Sequence, residues 1–311
     1  MKWVLGAALF AFAMGLAVTA PIPVATATID DVVLKFLPPE TMGIAFIDVA
    51  ALRNAPLVQS VLQGKDLPLP GGLGDAAKTG FDPQRDLDKV TFAKLAGKDG
   101  LAIAQGRIDR FQIEQYLRDN GKVPEAYLGQ NLYRDRDGAL VLLDNVALAG
   151  QVDAVKKALD QMQLPGSLPL RTDLRTAMQT IDPGSHVWAV GDVSNGALGA
   201  VGVPVAAQGA ELLKALRSGT YQMRVDTGIQ ARATGEFADV QSATNAGDLA
   251  RGAITIARLQ LTRQQPDLLQ LLDGIQVTNS GTTLTVQIIE SGEQLKKLQD
   301  MLRPTIERRA Q

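Results

Sequence analysis

The feature that most constrains the fold is the alternation in Thr220–Phe237. Tyr221, Met223 and Val225 alternate with Gln222, Arg224 and Asp226. After Asp226-Thr227-Gly228, Ile229, Ala231, Ala233 and Phe237 alternate with Gln230, Arg232, Thr234 and Glu236. A period of two on both arms requires an antiparallel hairpin with one face on a core and the other in water. Such a hairpin needs further strands or a helix to bury its apolar face.

Partners are available on both sides in sequence. Met42–Gln63 reads as a buried strand, Gly43–Val49, running into a helix, Ala50–Gln63, with Asp48 placed to cap it. A weaker echo is His186–Val193, with an apolar helical stretch, Ala210–Arg217, further on. Strands are expected at Val90–Leu95, Leu101–Arg107, Ala139–Leu143 and Val146–Ala149, the first two joined by Gly97-Lys98-Asp99-Gly100. Helices are expected after Asp109, over Gln151–Met162 and Asp173–Gln179, and from Asp239 to about Leu261. Tyr133–Gly138 reads as a turn. Ile275–Thr278 and Thr283–Ile289 read as a last hairpin, and Ser291 with Gln294 as a capping box for a helix carrying Leu295, Leu298 and Leu302.

Both halves run strand, helix, hairpin, helix, hairpin, helix. That order predicts an α+β fold of two similar modules, each an antiparallel sheet of hairpins with helices packed on one face. The expected domains are a signal peptide at 1–27, a first module at 28–163, a linker at 164–172 containing Pro165-Gly166-Ser167-Leu168-Pro169, a second module at 173–304 and a frayed tail at 305–311.

Met1-Lys2, the apolar run Trp3–Val18 and Ala25-Thr26-Ala27 form a secretory signal, with cleavage expected after Ala27. The alternative is an uncleaved N-terminal anchor, although the run is shorter than the roughly 20 residues of a membrane span. The chain is therefore read as exported, to the periplasm or the extracellular space.

Composition removes whole chemistries. There is no cysteine, so there is no thiol nucleophile, Cys-ligated metal, iron–sulfur cluster or disulfide. The net charge is −2, with Lys and Arg spread among Asp and Glu, which gives no footprint for nucleic acid. The single His, His186, opens an apolar strand and reads as structural rather than as a catalytic base. Asp135-Arg136-Asp137-Gly138 lacks the third acidic position of a calcium loop and reads as a hairpin turn. Gly196-Ala197-Leu198-Gly199-Ala200-Val201-Gly202 has the wrong spacing for a dinucleotide loop, and Lys78-Thr79-Gly80 the wrong order for a phosphate loop. Arg224 and Arg232 fall on one solvent-facing sheet surface, where they either bind an anion or are merely solvated. No catalytic, cofactor-binding or metal-binding residue is assigned, and no cofactor is implied.

Several local patterns resemble those of exported bacterial envelope proteins of unknown function. They are Leu37-Pro38-Pro39-Glu40-Thr41, then Phe46-Ile47-Asp48-Val49 entering a helix, Thr79-Gly80-Phe81-Asp82-Pro83 with Asp86-Leu87-Asp88, and Leu148-Ala149-Gly150 before Asp153-Ala154-Val155. The resemblance covers mainly residues 37–160 and implies a duplicated α+β domain without defined catalytic residues. The expected function is non-enzymatic binding or scaffolding in the periplasm or envelope, with an envelope protein as partner. Two alternatives are a carrier of a small apolar ligand, with Gly196–Gly209 lining the pocket, and a hydrolase working through carboxylates alone.

Overall fold

The computed structural model describes residues 29–62, 79–97, 99–136, 138–164, 170–192, 214–264 and 269–296. The expected signal peptide, the linker core Pro165–Pro169, the Gly196–Gly209 segment, the first half of the Ala210–Arg217 helix and the Leu298–Leu302 stripe lie outside these residues. The chain is a mixed helix and strand protein with a large antiparallel sheet. By contacts it divides into two compact units. Of the described residues, the first holds 29–54 and 79–190, and the second 55–62 and 191–296.

In the first unit the strands are β1 (Thr41–Asp48), β2 (Leu87–Leu95), β3 (Gly100–Gly106), β4 (Pro124–Tyr127), β5 (Gln130–Asp135), β6 (Gly138–Leu143), β7 (Val146–Gln151) and β8 (Val187–Asp192). Their order is β8-β1-β2-β3-β7-β6-β5-β4. Short turns join neighbours: Asn145, at φ 60°, closes β6 onto β7, and Leu128-Gly129, at 49° and 76°, closes β4 onto β5. The β4–β5 hairpin was not expected. Tyr133–Asp135, read as part of a turn, belongs to β5. Its charged composition carries no strand signal, but the β6 ladder, with Leu132 opposite Val141 and Asp135 opposite Gly138, supplies the pairing that local propensity does not.

Helices α1 (Asp31–Leu34), α2 (Val49–Asn54), α4 (Pro83–Asp86), α5 (Arg110–Asp119), α6 (Val152–Met162) and α7 (Thr172–Met178) complete this unit. Helices on one face only were expected, and the first unit departs from that. Ile44 belongs to the main core, with Val33, Leu95, Ile103, Leu148 and Leu159. Ile47, three residues further along β1 and therefore on the opposite face, packs with Val49, Phe81, Leu87 and Ile113. Both faces of β1 are thus apolar because both are covered, as its unbroken apolar sequence requires.

The single helix expected over Ala50–Gln63 is two. α2 ends at Asn54, and α3 (Pro56–Leu62) begins at Pro56, because a proline lacks the N–H and disfavours the α conformation in the residue before it. The cap is as expected, with Asp48 accepting from the Ala51 N–H at 2.8 Å.

α3 belongs to the second unit, where the Leu57 N–H donates to the Asp226 carbonyl at 2.9 Å. The strands here are β9 (Leu216–Val225), β10 (Gly228–Phe237), β11 (Ile275–Ser280) and β12 (Thr283–Ser291), ordered β9-β10-β12-β11 and all antiparallel. The alternating hairpin forms as expected and extends back to Leu216, so the last two residues of the anticipated Ala210–Arg217 helix are strand. α8 (Val240–Gln264) and α9 (Leu269–Asp273) link β10 to β11. Asp239 caps α8 by accepting from the Ser242 N–H at 2.7 Å. The capping box also forms: the Ser291 N–H donates to Gln294 Oε1 at 2.9 Å, and the Gln294 N–H to Ser291 Oγ at 3.3 Å.

Candidate functional site

Of the buried acids among the described residues, Glu114 and Asp86 are paired. Glu114, buried on α5, accepts from Arg110 at 2.8 Å, Arg118 at 3.2 Å and Asn131 at 2.8 Å. Burial works against its charge, but the hydrogen bonds outweigh it and hold the carboxyl below its usual range. Asp86 is held far below by Arg85 and Arg107 and by the Asp82 N–H. These groups fix turns and helix ends.

Glu290 differs from them. It is 4% exposed, on β12 opposite Ile229, on the face of the second sheet that α8 covers. Neither carboxylate oxygen has a hydrogen-bond partner. Burial, with a smaller contribution from Asp273, pushes its carboxyl up to about 7. Asp273 itself is exposed and bonded to Arg258 at 2.6 Å. The two therefore do not form the convergent desolvated pair that the hydrolase alternative needs. Nothing in the sequence marked Glu290, because a Glu ending an apolar strand also fits an exposed strand end.

The second notable surface is α8. Its inner stripe is small in the N-terminal half, where Ala243 and Gly247 are buried and Ala250 half-buried, and it continues through half-buried Ile254, Ala257 and Leu261. Its outer stripe is large. Leu249, Ile256 and Leu259 are 44%, 58% and 63% exposed, at spacings of seven and three residues that put them on one face. Gly252 lies among them with open space where a side chain would be. The helix thus carries aliphatic side chains on both faces, where an amphipathic helix would carry them on one.

A third feature lies in the first unit. A row of residues crosses its sheet on one face: Ala45, Phe92, Ala102, Ala149 and Leu140 are register partners in turn. Phe92 is 41% exposed there although its strand is central.

The residues singled out from sequence are not brought together. His186 opens β8, its carbonyl accepting from the Asp48 N–H at 2.7 Å. Asp135 ends β5 and pairs with Lys122 at 3.3 Å. Arg224 and Arg232 do share a face, since Arg224 is opposite Gln230 and Arg232 opposite Gln222. Arg224 pairs with Asp226, and Arg232 lies opposite Gln287 on the neighbouring strand. Among the described residues no cluster of three or more His, Asp or Glu is placed to hold a metal ion, and no helix is long and apolar enough to cross a membrane.

No protein-family model matches the chain, and no curated protein matches it. Solved structures do. The chain is similar to TP0453, an envelope-associated protein of Treponema. Against crystal form III of TP0453 the TM-score is 0.53 at 11% identity, covering 86% of this chain and 97% of that one. Against crystal form I it is 0.50 at 10% identity, covering 89% and 99%. The chain shares the fold of TP0453. At this identity the likeness extends to the fold and no further.

Proposed function

We propose that this chain is an exported, non-enzymatic protein that binds a protein partner in the bacterial envelope through the outer face of α8. The observation that carries this is the stripe Leu249, Ile256 and Leu259, held out in solvent by a helix that carries aliphatic side chains on both faces. Exposed aliphatics grouped on one face, with a glycine among them for close approach, suit an apolar helix or strand of another protein. The N-terminal run Trp3–Val18 with Ala25-Thr26-Ala27 supports export and cleavage after Ala27. The fold shared with an envelope-associated protein supports the compartment.

The test is native mass spectrometry of the mature protein purified gently from its own envelope, beside an Ile256→Asp, Leu259→Asp variant. A discrete larger assembly that the variant loses supports the reading. A bare monomer in both overturns it.

A second reading, carriage of a small apolar ligand, is favoured by exposed Phe92 set among Ala45 and Ala102. Such a row offers a flat apolar bed for an aliphatic chain. A small added mass, lost on denaturation and absent in Phe92→Ser, supports it over the first.

The two-module layout also belongs to this proposal. β2-β3-β7-β6 and β9-β10-β12-β11 have the same strand order, a hairpin, a helical connection and a second hairpin whose last strand returns beside the first, with the β4–β5 hairpin added between α5 and β6 in the first unit. A helix follows each returning strand, α6 after Gln151 and residues 292–296 after Ser291. This supports an ancestral duplication.

A further inference from the structure

The second unit holds a carboxyl that its fold does not require. Glu290 is the penultimate residue of β12, and the residue in the same place on β7 is Gly150. The first sheet therefore makes the same return with no side chain there. Glu290 is nonetheless buried, and its neighbourhood is shaped to receive it. A Cβ on Gly274 would lie 2.3 Å from Glu290 Oε1 and 3.0 Å from the Ile289 carbonyl, so a side chain there would push this carboxyl aside.

Among the described residues the elements packed around Glu290 supply no cation for it. On β10 and β12 its neighbours Ile229 and Ile288 are uncharged, as is Ile275 where β11 begins. α3 carries no charged residue. Asp226, in the β9–β10 turn, pairs with Arg224. α9 ends in Asp273, the acid whose charge acts on Glu290. On α8, Arg258 is taken by Asp273 at 2.6 Å and the Leu272 carbonyl at 3.3 Å. In the turn that follows β12, Glu293 and Lys296 are the ionisable residues, and neither bonds to Glu290.

We propose that Glu290 makes the docking of α9 and the C-terminal half of α8 onto the second sheet proton-dependent, the protonated acid keeping them seated and the ionised carboxylate releasing them. Ionised, Glu290 has no donor among the described residues and is subject to the Asp273 charge at the end of α9. Opening at Gly274 hydrates the carboxylate and separates the two acids. No bond is made or broken; a single proton leaves Glu290 for water. Its carboxyl, pushed up to about 7, places the change between mildly acid and neutral conditions.

The linkage fixes the shape of the response. An open state with an ordinary Glu and a closed state with the raised value give opening that increases roughly 40-fold from about pH 5 to about pH 7 and then levels off. The experiment is hydrogen–deuterium exchange on the full chain across this range, corrected for intrinsic exchange, following peptides over 258–275 against peptides over β2 and β3. The proposal expects the rise at 258–275 alone, flattened to less than about twofold in Glu290→Gln. An Asp273→Asn variant, which keeps Glu290, should show a smaller rise. Exchange at 258–275 that does not depend on pH in the native chain overturns the proposal, and so does an equal rise in Glu290→Gln.

Discussion

Replacing Glu290 with Gln keeps its shape and removes its proton chemistry, so the effect on stability can be worked from the structure. The folded carboxyl titrates near 7 against about 4.5 for an ordinary Glu. A folded value raised above the unfolded one means that the native state holds the proton more tightly. Stability is then highest below the unfolded value and is lost as pH rises toward the folded value. The full loss is about 2.5 units at 1.36 kcal/mol each, a ceiling of about 3 kcal/mol. Between about pH 5 and about pH 7.5 roughly 2 kcal/mol of that loss occurs. Glu290→Gln has nothing to titrate there, so its stability relative to the native chain should rise by about 2 kcal/mol between about pH 5 and about pH 7.5. Urea unfolding followed by far-UV circular dichroism at both pH values reads this as a difference in midpoint. A gap of the same size at both pH values, or a native chain that gains on the variant as pH rises, would refute the reasoning.

Four further outcomes follow from the structure. Glu114→Ala leaves Arg110, Arg118 and Asn131 without their acceptor and should cost about 2–4 kcal/mol at neutral pH by chemical denaturation. Because its carboxyl lies below the usual range, the Glu114 contribution should be present above about pH 4.5 and fade as pH falls through the lowered value, which a Glu114→Gln comparison at mildly acid and at lower pH would detect. Leu148→Ala empties a site with no solvent exposure between the first sheet and its helices and should cost about 2–5 kcal/mol, against less than about 1 kcal/mol for Leu259→Ala on α8. Intact-mass measurement of the exported protein should give a chain starting at Thr28, and a chain that still begins at Met1 would remove the cleavage claim.

The parts of the fold that were legible in the sequence have local causes. The β9–β10 hairpin shows in its alternation, the β6–β7 turn in Asp144-Asn145, and the α8 start in Asp239 with Ser242. The parts that were not legible depend on partners distant in sequence. β4 and β5 take their extended form from β6, and Pro124 and the charges of Arg134 and Asp135 disguise them. The break between α2 and α3 was written in Pro56, but a proline in a first turn and one that starts a new helix read alike. Glu290 was the least visible. In sequence it is one of many acids beside Ile288 and Ile289, and only the register that turns it under α8 and against Gly274 makes it unusual. The α8 outer stripe was present as Leu249, Ile256 and Leu259, but a helix that carries aliphatic side chains on both faces defeats the rule that the larger side chains face inward.

Arg251 bears on how a partner can approach. It extends from α8 to the Val277 carbonyl at 3.1 Å and to Asn279 Oδ1 at 3.2 Å, on β11, the outermost strand of the second sheet. A free outer strand invites another chain to continue the sheet by adding its own strand, and proteins commonly blunt it with charge or cover. Here the helix lays a cation along that border. A molecule arriving at this end meets a guanidinium already holding the acceptor it would need, so growth of the sheet is checked from within. Freeing the border by Arg251→Ala would leave the chain more prone to recruit copies of itself through its backbone.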